Sequence, residues 1–138
     1  MTATASSPLA ASALVAAGGA LGALARYQVG RLMTNLAGPG YAFPWATLSV
    51  NIIGSLAMGA LVGWLARGTT SDQAAESLRL LIGVGLLGGF TTFSAFSAEL
   101  VTMLHRGQTG MAAGYAAASL VAGMAAMIAG LIAAQSLS

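Results

Sequence analysis

GGFTTFSAFS, from Gly88 to Ser97, lies inside a segment from Leu78 to Leu104 that is otherwise apolar enough to cross a bilayer. Two adjacent glycines, two threonines, two serines and three phenylalanines in ten residues are costly at membrane depth, where no water satisfies polar groups. The remainder of the chain is best understood as support for this stretch.

Its surroundings are those of an integral membrane protein. Only 6% of the 138 residues are charged and 57% are hydrophobic, against roughly 25% charged in soluble domains. The length suits a single membrane domain over residues 1–138, with no room for a soluble enzyme beside it. A hydrocarbon core of about 30 Å takes about 20 apolar residues per helix. Four runs qualify, so the expected fold is all-α, with transmembrane helices over residues 9–32, 46–66, 78–104 and 111–134. Residues 1–8 read as a short disordered tail; with no basic side chain in Met1 to Ser7, a cleavable signal peptide is not expected. Pro39, Pro44 and neighbouring glycines end helices between the first two spans, and Tyr41, Phe43 and Trp45 suit the aromatic belt at a membrane surface. A polar link, Arg67 to Ser77, joins spans two and three, and a tight turn, His105 to Gly110, makes spans three and four antiparallel.

The same composition excludes several functions. Cysteine is absent and His105 is the lone histidine, which removes disulfides, thiol nucleophiles and most transition-metal sites. No nucleophile paired with a base and no phosphate loop is present, so an enzyme is not expected. Five arginines against Asp72, Glu76 and Glu99 give a net charge of +2, too little for a nucleic-acid partner. The expected location is the plasma membrane or a bacterial inner membrane, with the lipid bilayer as surroundings.

Glycines at four-residue spacing, Gly18 with Gly22, Gly59 with Gly63, Gly85 with Gly89 and Gly110 with Gly114, predict close helix packing or oligomers. The arginines leave orientation undecided. Arg67 and Arg79 fall on one side of the membrane, Arg31 and Arg106 on the other, with Arg26 just inside the end of span one. Orientation follows a difference in basic residues, and here there is almost none. Both orientations are therefore expected to insert, which permits an antiparallel dimer with its two-fold axis in the membrane plane.

Polar groups within the spans admit functional and plain structural readings. Thr47, Asn51 and Ser55 lie four apart and form one stripe on span two. Asn51 is the expensive member, with two donors and an acceptor to satisfy by an interhelical bond or a ligand. Tyr115 and Ser119 repeat the spacing on span four, where a serine can also bond to its own helix. Arg26 and Glu99 lie near helix ends, from which long charged side chains can snorkel. In span three, Gly83, Gly85, Gly88 and Gly89 followed by Thr91 and Thr92 predict a broken helix near residues 88–92. Carbonyls freed by a break suit a cation, and the amides of the following half-helix suit an anion. Phe93 and Phe96 share a face beside Ser94 and Ser97. They serve packing, or else turn their positive ring edges toward an ion path.

With these motifs in hand, the chain resembles the Fluc (CrcB) fluoride channels. GGFTTFSAFS is similar to the family's third-helix signature, SVNIIGS from Ser49 to Ser55 to its second-helix asparagine motif, and GGALGALARY from Gly18 to Tyr27 to its first-helix motif. The resemblance covers all four spans. It implies an antiparallel dual-topology homodimer with two fluoride pores and a structural sodium ion at its centre. The main-chain carbonyls of Gly88 and Thr91 would be sodium ligands and Phe93 and Phe96 the pore rings. Asn51 would donate its amide to fluoride, with Thr47, Ser94, Tyr115 and Ser119 as hydroxyl partners. Arg26 and Glu99 match charged family positions. Two departures stand out: Ala95 where threonine is frequent, and an apolar fourth span after Ser119.

The implied activity is passive export of fluoride from the cytoplasm, which lowers its toxicity. An alternative is a small dual-topology proton-coupled exporter, for which Glu99 is the lone carboxyl candidate within a span. A non-transporting scaffold of packed glycine-rich helices leaves Asn51 and the broken span without a role.

Overall fold

A computed structural model describes residues 7–38 and 42–136. Residues 1–6 of the tail expected over 1–8, and the turn residues Pro39 and Tyr41, lie outside them, whereas Ser7 and Pro8 cap and open the first helix instead of belonging to a disordered tail. The described residues are helical with short links: α1 (Pro8–Ala37), α2 (Trp45–Leu65), α3 (Asp72–Leu78), a π-helical stretch (Arg79–Leu87), α4 (Gly88–Phe90), α5 (Phe93–His105) and α6 (Thr109–Ser136). The third span is composite, running from Asp72 to His105. Among the described residues, four helical spans are long and apolar enough to cross a membrane.

Local chemistry sets the helix ends. Ser7 Oγ accepts from the Ala10 amide at 3.2 Å, and Pro8 follows where a missing N–H costs nothing. Gly38 closes α1 with φ of 78°, a conformation that suits glycine. The polar link after α2 is partly helical, because Ser71 caps Asp72–Leu78 by accepting from the Ala74 amide at 3.4 Å. Gly107, with φ of 71°, turns the chain between α5 and α6. At 30 residues, α1 is about 45 Å long, more than the hydrocarbon core needs. Arg26 therefore stands well inside α1 and not near its end.

Two glycine-lined contacts assemble the spans. α2 packs chiefly on α6 and α1 on the π-helical stretch, whereas α1 and α2 meet little. Gly59 and Gly63 lie against the backbone of Met127 and Leu131, and Gly130 against the Leu56 carbonyl. Gly18 and Gly22 face the carbonyls of Leu81 and Leu86, while Gly85 and Gly89 return the contact to Val15, Gly18 and Gly19. Three of the four expected glycine pairs thus sit at helix contacts. The fourth does not: around Gly110 and Gly114 there is open space among the described residues, since α6 turns its later glycines toward α2.

The break in the third span falls within the expected residues 88–92, at their C-terminal end. Its glycines do not end the helix. Gly83 and Gly85 belong to the π-helical stretch, where the Gly88 amide donates back five residues to the Gly83 carbonyl, and Gly88 and Gly89 remain helical. Packing on α1 holds them there, overriding their poor propensity. The chain becomes extended at Thr91 (φ −79°, ψ 159°) and Thr92 (φ −151°, ψ 117°).

A small core lies beside the break. Leu48, Met103, Ala112 and Tyr115 are buried, with Phe43, Ile52, Phe96 and Leu100 around them.

Candidate functional site

The break is held by a side chain from another helix. Asn51 on α2 presents Oδ1 to the Thr92 amide at 2.8 Å, and its Nδ2 donates to the Thr92 carbonyl at 3.2 Å. One carboxamide thereby replaces the helical neighbours that this residue lacks, and its second Nδ2 hydrogen remains available. Thr92 in turn caps α5, its Oγ1 accepting from the Ala95 amide at 3.2 Å and lying 3.2 Å from Ser94 Oγ.

This arrangement diverts two backbone donors. In a continuous helix the amides of Thr92 and Ala95 would point at the carbonyls of Gly88 and Thr91. Here they donate to Asn51 Oδ1 and Thr92 Oγ1. The Gly88 and Thr91 carbonyls thus lose the partners an α-helix would supply. Carbonyl oxygens relieved of those amides are hard donors of the kind an alkali or alkaline-earth cation takes.

A cavity of about 260 Å³ opens beside the break, lined by Asn51, Ser55, Phe93, Phe96 and Ser119 among others. It collects residues from α2, the break, α5 and α6 that are up to 72 positions apart in the chain, from Asn51 to Gly123. The Ser119 Oγ is buried and bonds to none of the described residues, its own helix included. An unpaired buried hydroxyl carries a desolvation cost of about 1–3 kcal/mol, so its proton is free for a ligand. Phe93 lines the cavity yet is 78% exposed, so one chain alone leaves the cavity open on that side.

Beyond Phe96 lies a second cluster. The Phe96 ring lies 5.7 Å from Phe93 and 5.1 Å from Tyr115, which meets Phe43 edge-on at 5.5 Å. Tyr115 donates its hydroxyl to Glu99 Oε2 at 2.7 Å, and Thr47 donates to Oε1 at 2.6 Å. Glu99 is seated mid-helix in α5 between these two hydroxyls, an anchored position that snorkelling does not describe. It also lines a second cavity of about 340 Å³ that reaches Arg106 and Gln108 at the α5–α6 turn. Arg26, by contrast, is on α1 and is not among the lining residues of either cavity.

The expected site residues are therefore distributed in two groups. Asn51, Phe93, Phe96 and Ser119 meet at the first cavity, with Ser94 alongside through Thr92. Thr47, Tyr115 and Glu99 form the second group. Sequence reasoning undervalued Thr92, the residue that Asn51 grips and that caps α5. The signal was present: a threonine just before an apolar helical run is an N-cap pattern.

Four apolar spans with a helix break beside a cavity that Asn51, Thr92 and Ser119 help to line are the arrangement of a membrane protein with a polar site among its helices, since irregular backbone persists at that depth only when it lines a cavity or is buried in protein. The family model described as CrcB-like protein, Camphor Resistance (CrcB), matches residues 13–131. A fluoride-specific ion channel FluC of Novosphingobium aromaticivorans is 54% identical over 121 residues, covering 88% of this chain and 93% of its own. One from Sphingopyxis alaskensis is 54% identical over 118 residues, covering 86% and 90%, and one from Caulobacter vibrioides 49% over 123, covering 88% and 93%. The chain belongs to the CrcB family, whose named relatives are ion channels and not enzymes, and is a multi-pass protein of the plasma membrane.

Proposed function

We propose that this chain is a fluoride-selective ion channel that lets fluoride leave the cytoplasm passively. The observation that carries the reading is the cavity joining Asn51, Phe93, Phe96 and the unpartnered Ser119 hydroxyl. Relatives at about half identity bear the name of fluoride channels, which agrees with it.

Fluoride is small and strongly hydrated, so a pore must replace its water with donors. Those on hand are the second Nδ2 hydrogen of Asn51, the Ser119 hydroxyl, a hydroxyl of the Thr92–Ser94 pair, and the polarised ring edges of Phe93 and Phe96. A hydroxyl has one proton, and Thr47 and Tyr115 give theirs to Glu99. A fluoride that passes Phe96 therefore competes with Glu99 for those two protons, which makes this cluster a second station on the path. Larger halides are refused by a lining too narrow to solvate them.

The exposure of Phe93 supports a homodimer in which a second copy closes the cavity, and the balanced arginines support an antiparallel one. The Gly88 and Thr91 carbonyls, short of helical donors, fit a sodium ion at the centre of such a dimer. When bound, it would supply fixed positive charge that offsets the cost of an anion in a low dielectric.

Fluoride efflux from proteoliposomes tests the reading. Wild-type protein is expected to release fluoride and retain chloride with no proton gradient imposed, and Phe93→Ile and Phe96→Ile each to cut fluoride flux at least tenfold. Unchanged flux in both variants removes the ring-edge path, and a strict need for a proton gradient favours the exporter.

A further inference from the structure

We infer that Arg106 gathers fluoride at the mouth of the second cavity and so sets how fast the ion reaches the Glu99 cluster, an inference that rests on the fluoride-channel reading above. The role is electrostatic and concerns entry, separate from the donors that line the first cavity.

Position makes this cavity a port. Its outer walls come from two links at the same end of the bundle, Phe43 and Pro44 just before α2 and Arg106 and Gln108 at the α5–α6 turn. From there Met103, Thr102 and Glu99 lead inward along α5. Glu99 and Arg106 are seven residues apart, two helical turns, so they share a face of α5 about 10 Å apart along its axis. Arg106 is exposed, Met103 between them is buried and Glu99 is half-buried. The cavity of about 340 Å³ thus runs from an exposed cation to a half-buried carboxylate.

An account of the donors then singles out Arg106. Thr102 gives its hydroxyl proton to the Ala98 carbonyl at 2.7 Å, and Glu99 accepts from Thr47 and Tyr115. Among the described residues, neither the Arg106 guanidinium nor the Gln108 carboxamide has a hydrogen-bond or ion-pair partner. Five N–H donors and a fixed positive charge therefore face the cavity with no internal use. An anion moving inward meets the repulsion of Glu99, and a cation at the mouth offsets it. Low-dielectric walls on either side focus that field, as rings of basic side chains do in anion pores. The C-terminal dipole of α5 also favours a cation at this position, but that effect acts on stability and not on ion entry.

Fluoride efflux from proteoliposomes, followed at one low fluoride concentration in dilute and in concentrated sodium gluconate, tests the role. In about 0.01 M salt, where the screening length is about 30 Å, Arg106→Gln is expected to lower flux roughly threefold. Arg106→Lys should keep wild-type flux and Arg106→Glu should fall below Arg106→Gln, all three retaining the preference for fluoride over chloride. In about 1 M salt, where screening reaches about 3 Å, the variants and the wild type should converge. Arg67→Gln removes a cation from the link after α2 and is expected to match the wild type in both salts. Passive flow is reversible, so a barrier at one mouth slows it equally in both directions and the comparison holds however the chains insert. Wild-type flux with indifferent Arg106→Gln and Arg106→Glu overturns the inference alone, as does a deficit that persists in concentrated salt, the mark of a structural role. Absence of fluoride flux in the wild type overturns the channel reading and this inference with it.

Discussion

Asn51 and Ser119 face the same cavity and solve opposite problems. Asn51 satisfies itself at the break, through two bonds to Thr92, and keeps one donor in reserve. Ser119 leaves its hydroxyl without a partner among the described residues. Removing an unsatisfied buried polar group relieves its desolvation cost, so folding should not suffer from its loss. Ser119→Ala is expected to leave the unfolding temperature unchanged or slightly higher while lowering fluoride flux severalfold. A purely structural serine would give no change in flux, and liposome efflux measured beside thermal unfolding separates the two outcomes. Both polar residues could be picked out in the sequence by four-residue spacing; that one is paired follows from the extended backbone of Thr92 meeting α2, while Ser119 on α6 meets no partner among the described residues.

At the scale of elements, the glycines of the third span serve packing and the threonines serve the break. Gly18 and Gly85 touch backbone to backbone, and a side chain at Gly18 would overlap the Leu81 carbonyl. Gly114 has open space around it. Gly18→Leu is thus expected to destabilise the protein by about 3 kcal/mol or more, through overpacking at a contact with no slack, and to lose monodisperse protein in size-exclusion chromatography. Gly114→Leu should elute and melt like the wild type. Equal behaviour of the two variants would show that glycine spacing has no bearing on assembly. Both pairs look alike in sequence, because spacing reports a shared face without naming which neighbour that face meets.

For the whole molecule, orientation and partner are linked. One chain leaves Phe93 78% exposed at the edge of its own cavity, and large apolar side chains such as Leu21, Leu24, Val121 and Met124 cover its outer surface. Lipid suits the aliphatic surface; a pore-lining ring facing lipid would leave the cavity unsealed. With arginines balanced across the membrane, a reporter of cytoplasmic exposure fused after Ser138 is expected to label roughly half of the molecules. Adding two lysines to the link after α2 should bias orientation and lower fluoride flux, with flux restored by an oppositely biased copy. Labelling of all molecules on one side would exclude the antiparallel dimer.

Much of this protein is legible in its sequence, because a bilayer imposes few solutions. Low charge and four apolar runs of sufficient length dictate four spanning helices, and polar residues that hydrocarbon cannot satisfy mark where the site must be. Tertiary structure alone decided which groups pair. That Thr92 breaks the span while Gly88 and Gly89 stay helical follows from α1 packing on the glycines and Asn51 gripping Thr92. That Glu99 is anchored by Thr47 and Tyr115 follows from residues 52 and 16 positions away in the chain. Propensity and spacing are local, whereas the energy that chooses among polar partners at low dielectric depends on contacts made only after the helices assemble.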